Sequence, residues 1–111
     1  MEVRGKVLGG GELFLIAGPC VLESRELTMR IAERLATITR ERRIPWIFKA
    51  SFDKANRSSG SSVRGPGMES LEWLAEARET FGCPVITDVH LPEQCAPAAE
   101  IVDVLQIPAF L

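Results

Sequence analysis

The side chains in this sequence that are best suited to chemistry each follow an apolar, strand-like segment. They are Cys20, Lys49, Ser51, Asp88, His90 and Gln106. In parallel α/β folds the carboxyl ends of the strands lie at one edge of the sheet, and active sites form there. The sequence therefore predicts one site assembled from four strand ends.

The stretch from residue 49 to residue 67 is basic, although the chain is slightly acidic overall. It contains four Lys and Arg residues against one acidic residue, whereas the whole chain has a net charge of −2. Lysine provides a point charge, and arginine provides a bidentate fork for phosphate or carboxylate groups. The stretch therefore predicts binding of a small anionic ligand, with a solvated flexible loop as the alternative.

Cys20 and His90 each allow a chemical and a structural interpretation. A thiolate can bind a metal or act as a nucleophile, and an imidazole two residues after Asp88 can carry a proton or bind a metal. The structural alternatives are a small packed thiol and a hydrogen-bonded histidine. We interpret the other two cysteines, Cys83 and Cys95, as packing residues.

Composition limits the class of protein. Apolar residues make up 46% of the chain, and 13 Lys and Arg face 15 Asp and Glu. This balance is typical of a soluble globular domain and argues against nucleic acid as the main partner. The sequence lacks both the ~20 consecutive apolar residues of a membrane helix and the apolar segment of a secretory signal. Three cysteines without a CxxC pair indicate reduced thiols, so we expect a cytoplasmic protein. From the charge balance and the lack of a membrane segment, we expect neither a nucleic-acid nor a membrane partner.

Strand-like and helical patterns alternate along the chain. Two runs, 2–7 and 13–17, lie on either side of three glycines and predict a hairpin, although the second run is apolar enough for a strand covered on both faces. Ser24 predicts the N-cap of the first helix. The other predicted elements are helices at 25–42, 68–81 and about 93–101, the last interrupted near Pro97, and strands at 46–48, 84–88 and 102–107.

This alternation predicts an α/β fold with a parallel sheet and right-handed crossovers. The sequence stops directly after an apolar strand, without a helix that would cover it. We therefore expect residues 1–111 to form a single domain, the first half of a truncated (β/α)8 TIM barrel with an N-terminal β-hairpin. A complete barrel takes ~250 residues.

Five motifs together resemble one known family. They are IAGPCVLES (16–24), FKASFDKANRSS (48–59), RGPG (64–67), TDVH (87–90) and QIPAFL (106–111). In this order they resemble the 3-deoxy-D-manno-octulosonate 8-phosphate synthases. The related 3-deoxy-heptulosonate phosphate synthases, which use erythrose 4-phosphate, typically have Lys-Pro-Arg-Thr where residues 54–58 read Lys-Ala-Asn-Arg-Ser. That enzyme and an inactive half-barrel fragment are the alternatives.

The resemblance implies a (β/α)8 barrel that is a homotetramer when full length. It implies condensation of phosphoenolpyruvate with D-arabinose 5-phosphate to give 3-deoxy-D-manno-octulosonate 8-phosphate and phosphate, a step toward the Kdo sugar of lipopolysaccharide. In this family Lys49, Ser51 and Lys54 would contact phosphoenolpyruvate, and His90 and Gln106 would line the same end of the site.

The remaining roles implied by the resemblance concern the sugar and a metal. Asn56, Arg57 and Ser58 would hold arabinose 5-phosphate, the last two at its phosphate from a neighbouring subunit, and Asp88 would contact the sugar. Cys20 indicates the metal-dependent group, in which the thiolate is one of four protein ligands of a divalent metal and the His, Glu and Asp ligands come after residue 111. The candidate catalytic residues are Lys54, Asp88 and His90.

Overall fold

The computed structural model describes residues 1–53 and 67–109. The strands are β1 (Glu2–Val3), β2 (Lys6–Val7), β3 (Leu15–Ala17), β4 (Trp46–Lys49), β5 (Val85–Asp88) and β6 (Val104–Gln106). The helices are α1 (Arg25–Arg42), α2 (Leu71–Phe81), which follows a 3-10 turn at Met68–Ser70, and α3 (Pro92–Ala99). None of these helices is both long enough and apolar enough to cross a membrane.

Four of the strands form one parallel sheet in the order β3-β4-β5-β6. The expectation of an α/β fold with a parallel sheet is therefore confirmed. The sheet order follows the chain order, as it does in barrels built from successive βα units. The described residues form an open sheet, so closure into a complete barrel stays a prediction.

Alternation along the strands gives the sheet two different faces. On one face Phe48 and Val85 belong to a large core with the helices, for example with Leu74 of α2. On the other face Ile47 and Ile86 form a second cluster with residues of the amino-terminal hairpin. The hairpin therefore covers this face near the amino ends of the strands. A complete barrel would enclose the same face.

The hairpin itself differs from the one predicted. Its strands, β1 and β2, are joined by Arg4 and Gly5, which have φ angles of 50° and 79°. Positive φ at both central residues matches the twist of a two-residue hairpin turn. The run at 13–17 was predicted both as the second hairpin strand and as a covered strand of the sheet. Its Leu15–Ala17 part pairs in parallel with β4, which confirms the strand but not its place in the hairpin. The three glycines are a connection between the hairpin and the sheet.

The helices follow the sequence closely, with one correction. Helix α1 spans the predicted range, and the Ser24 hydroxyl accepts a hydrogen bond from the Leu27 backbone N–H at 3.1 Å. In α3 the predicted interruption at Pro97 was wrong, because the helix continues through it to Ala99. Proline removes one hydrogen bond of a helix, and α3 tolerates this single loss.

Asp103 ties the hairpin and α2 to the sheet at the amino end of β6. Its carboxylate accepts hydrogen bonds from the Val85 backbone N–H at 2.9 Å, from Arg78 at 3.3 Å and from Arg4 at 3.2 Å. The Asp103 side chain is only 10% exposed. These three bonds therefore replace most of the water contacts that the carboxylate has in the unfolded chain.

We expect Asp103→Asn to lower the free energy of unfolding of the full-length protein by about 2 kcal/mol, because hydrogen bonds to charged groups are worth more than neutral ones. Urea denaturation measures the loss. Arg4→Ala is the control, because Arg4 is half exposed and exposed ion pairs contribute at most about 1 kcal/mol. Equal losses in both variants would contradict a central role for Asp103.

Candidate functional site

The polar residues at the carboxyl ends of the strands lie on the sheet face that the hairpin covers nearer the amino ends. In β4, β5 and β6 an apolar residue of that face is followed two positions later by a polar one, and residues two apart share a face. These polar residues are Lys49, Asp88 and Gln106. Asp88 and Gln106 are also direct partners in the register of β5 and β6. The structure therefore brings these three residues to one face of the sheet at its carboxyl edge.

Gly18 allows the first strand end to approach the second. A Cβ atom at residue 18 would lie 1.8 Å from the Lys49 carbonyl oxygen, which no side chain can tolerate. Beyond this contact, Ser51 donates its backbone N–H to the Cys20 carbonyl at 3.3 Å and accepts from the Leu22 N–H at 2.9 Å. This backbone pairing places the exposed Cys20 beside the strand end that carries Lys49 and Ser51.

A hydrogen-bonded chain joins Ser51, Asp88 and His90. The Ser51 hydroxyl donates to Asp88 Oδ1, and His90 Nε2 lies 3.0 Å from Asp88 Oδ2. All three side chains are largely or completely shielded from solvent. Since a carboxylate only accepts hydrogen bonds, both neighbours donate to it in its ionised form, which places a proton on His90 Nε2. These hydrogen bonds thus hold three of the predicted site residues in one arrangement.

The His90 ring has further neighbours that fix its position. Phe52 contacts it edge to face, with ring centroids 5.9 Å apart and planes at 64°. A cavity of about 370 Å³, lined by residues that include Cys95 and Ile107, lies beside it. Among the described residues, His90 Nδ1 is a buried nitrogen without a hydrogen-bond partner.

Four of the predicted site residues lie outside the described part of the chain. They are Lys54, Asn56, Arg57 and Ser58. Lys49 and Gln106 are half-buried on the site face. The Gln106 backbone carbonyl also accepts from the Val89 N–H at 3.1 Å, which holds the end of β6 against the turn that carries His90.

The described residues do not by themselves fit a divalent-metal site. Such sites take three or four protein ligands, and within 1–53 and 67–109 no three His, Cys, Asp or Glu side chains are placed to share an ion. Cys20 is therefore a single candidate ligand. Cys83 lies in the core, where burial raises the pKa of its thiol to about 11, and Cys95 packs partly against that core. Both agree with their interpretation as packing residues.

Sequence reasoning missed two residues that support the site. Gln94 accepts hydrogen bonds from the backbone N–H groups of His90 and Leu91, and Phe52 contacts the imidazole. A glutamine at the third position of a helix is a capping signal when Ser or Thr is at the N-cap. Here Leu91 is at the N-cap, so this signal is hidden.

The chain matches a protein family and several curated relatives. The model of the DAHP synthetase I family matches residues 2–111. A 2-dehydro-3-deoxyphosphooctonate aldolase of Trichlorobacter lovleyi is 58% identical over an alignment of 113 residues, which covers 100% of this chain and 42% of the relative. Proteins of the same name from Geobacter metallireducens and Koribacter versatilis are 57% and 54% identical over 96% and 99% of the chain.

The chain spans about two-fifths of the length of these three relatives, which it covers to 42%, 39% and 40%. Their name denotes the octulosonate 8-phosphate synthases, so the resemblance found in the five motifs is confirmed and the heptulosonate alternative is disfavoured. The chain belongs to the DAHP synthetase I family, and the relatives it matches there are 2-dehydro-3-deoxyphosphooctonate aldolases.

Proposed function

We propose that this chain is part of an enzyme that condenses phosphoenolpyruvate with D-arabinose 5-phosphate. The products are 3-deoxy-D-manno-octulosonate 8-phosphate and phosphate, and the reaction serves Kdo and lipopolysaccharide biosynthesis. The observation that carries the proposal is the hydrogen-bonded set Ser51, Asp88 and His90 at the strand ends, on the sheet face of Lys49. The phosphooctonate in the names of the relatives supports the eight-carbon product.

The reaction brings two anions together. The terminal enol carbon of phosphoenolpyruvate attacks the aldehyde carbon of the sugar, water adds at the adjacent carbon, and inorganic phosphate leaves. The site must offset the repulsion between the substrates and hold the reacting carbons in contact. We assign this task to Lys49 together with Lys54 and Arg57, whose positive charges match the phosphate and carboxylate groups.

The remaining contacts follow the two ends of the site. Ser51, His90 and Gln106 line the phosphoenolpyruvate end. Asn56, Arg57 and Ser58 hold arabinose 5-phosphate. The resemblance implies that Arg57 and Ser58 reach its phosphate from a neighbouring subunit of a homotetramer. We further propose that the enzyme is cytoplasmic.

Asp88 and His90 are the groups we assign to proton transfer. An imidazole can carry a proton, so we assign His90 Nδ1, the ring nitrogen that does not face Asp88, to accept the proton of the water that adds to phosphoenolpyruvate. The aldehyde oxygen of the sugar takes up a proton as the new carbon–carbon bond forms, which balances the one that the water gives up. Asp88 contacts the sugar and holds the imidazole through its Nε2 atom, 3.0 Å away. Ser51 occupies the other carboxylate oxygen, so Asp88 cannot turn away from the ring without losing a second bond.

We also propose that Cys20 is one ligand of a divalent metal whose other ligands lie outside the described residues. A bound metal would orient the water or the aldehyde, and no step above depends on it. We expect Cys20→Ala to remove most of the metal from the full-length protein, as measured by inductively coupled plasma mass spectrometry. Cys95→Ala is the control, since Cys95 packs against the core. A Cys20→Ala protein with its full metal content would contradict this role.

The function is tested by supplying the full-length protein with phosphoenolpyruvate and either arabinose 5-phosphate or erythrose 4-phosphate. We expect phosphate release with the five-carbon sugar and much less with the four-carbon one. A preference for erythrose 4-phosphate would support the heptulosonate reaction instead. A folded protein that neither binds nor converts either sugar phosphate would support the alternative of an inactive half-barrel.

A chimaera tests the contribution of this chain separately. In it, residues 1–111 replace the aligned 42% of the Trichlorobacter lovleyi relative. If that relative releases phosphate from phosphoenolpyruvate and arabinose 5-phosphate, we expect the chimaera to do so too, because the two segments are 58% identical. Turnover by the relative but not by a folded chimaera would show that this chain lacks a required group.

A further inference from the structure

The turn between β5 and α3 carries His90, and its backbone is held by hydrogen bonds at every residue. The Val89 N–H donates to the Gln106 carbonyl at 3.1 Å. The next two N–H groups, of His90 and Leu91, both donate to Gln94 Oε1, at 2.8 and 3.1 Å. One side-chain oxygen therefore binds the peptide groups on both sides of the His90 Cα atom.

The orientation of the Gln94 amide is determined by its partners. Two backbone donors point at the same atom, which must be the carbonyl oxygen because an NH2 group cannot accept from them. Gln94 returns a bond from its own N–H to the Leu91 carbonyl at 3.0 Å. Since Leu91 has no polar side chain and Pro92 has no N–H, Gln94 is the residue that caps the start of α3.

The consequence of this cap reaches the imidazole. The His90 ring is held by Asp88 at Nε2 and by an edge-to-face contact with Phe52, and both contacts depend on the position of the His90 backbone. Gln94 fixes that position through its hydrogen bonds to the backbone N–H groups of His90 and Leu91. Loss of its oxygen would leave two N–H groups without their acceptor and would free the turn to move.

We propose that Gln94 is a positioning residue for His90, acting through the backbone of the turn to keep the imidazole on Asp88. The inference rests on the proposed function insofar as His90 takes part in the reaction. It goes beyond that function because Gln94 contacts neither substrate nor the reacting atoms in the assignments above.

The test compares three variants of the full-length protein. Gln94→Met keeps the length of the side chain and removes the acceptor, whereas Gln94→Glu keeps an acceptor oxygen for the two N–H groups. Ser24→Ala is the matched control, because it also removes a helix cap, the bond from Leu27 N–H to Ser24 Oγ, but at α1. Should Gln94→Met fail to fold, Gln94→Ala takes its place.

Two readouts separate positioning from a purely structural role. We expect kcat of Gln94→Met to fall by ~10- to 100-fold with little change in KM, as for a misplaced catalytic group, while Gln94→Glu and Ser24→Ala stay near wild type. We also expect the imidazole ¹⁵N signals of His90, assigned by comparison with His90→Gln, to show one dominant tautomer in wild type and a mixture in Gln94→Met.

The outcomes that overturn the inference are specific. A Gln94→Met protein with wild-type kcat and a single His90 tautomer would do so, and so would a Ser24→Ala protein with the same loss of kcat. A Gln94→Glu protein as impaired as Gln94→Met would show that the acceptor is not what matters. If wild type does not convert the two substrates, the proposed function fails, and the tautomer comparison alone still decides the role of Gln94.

Discussion

Replacing Gly18 with alanine is expected to destabilise the full-length protein by more than about 3 kcal/mol, with little soluble folded protein recovered. The added Cβ atom would lie 1.8 Å from the Lys49 carbonyl oxygen and 2.8 Å from the carbonyl carbon. These are backbone atoms of a central strand, so they cannot swing aside as a side chain would. Overpacked cores typically lose about 1–3 kcal/mol when side chains and backbone can adjust, and this contact leaves less room than those cases.

Gly10→Ala is the matched control for this prediction. A Cβ atom at residue 10 would meet only the Val7 Cγ1 atom at 3.7 Å, which is an ordinary van der Waals contact. We expect its thermal unfolding midpoint to stay close to that of wild type. Gly18→Ala protein that unfolds at the wild-type temperature would mean that β3 and β4 are farther apart at this point than the structure places them.

Much of this fold could be predicted from local patterns in the sequence. Helix α1 has both of its ends encoded nearby, with Ser24 as its N-cap and Pro45 shortly after its last turn. The hairpin could not be located in the same way. Gly5 and the three glycines at 9–11 all permit positive φ, and only pairing of Leu15–Ala17 with β4 decides which glycines form the turn.

The site was predictable to the level of strand ends but not of contacts. Periodicity of two places Lys49, Asp88 and Gln106 on one face once the sheet is known to be parallel. The bond between Ser51 and Asp88 joins residues 37 positions apart in sequence, so no local pattern encodes it. The role of Gln94 could not be predicted from the sequence, because it depends on where the turn before α3 places the His90 and Leu91 N–H groups.

The second large effect is expected at Asp88. We expect Asp88→Asn to lower kcat of the full-length protein by ~10²- to 10⁴-fold, in the range observed when a proton-carrying histidine loses its carboxylate partner. Steady-state phosphate release with both substrates measures the change. Asp103→Asn is the matched control, because it makes the same chemical replacement at the opposite end of the sheet and is expected to affect unfolding rather than kcat.

The size of this effect follows from the number of donors around the carboxylate. Ser51 and His90 each donate to one oxygen of Asp88, whereas asparagine offers one oxygen and one NH2 group. If the asparagine oxygen stays with Ser51, its NH2 group faces His90 Nε2, and a neutral imidazole must move its proton to the buried Nδ1 atom, for which the described residues offer no acceptor. If the amide turns over, its NH2 group faces the Ser51 hydroxyl instead. The first arrangement moves the His90 proton to the wrong ring nitrogen, and the second turns a donor toward the Ser51 hydroxyl, so neither keeps the hydrogen bonds that Asp88 makes. A folded Asp88→Asn protein with wild-type kcat would exclude the Ser51, Asp88 and His90 set from the reaction.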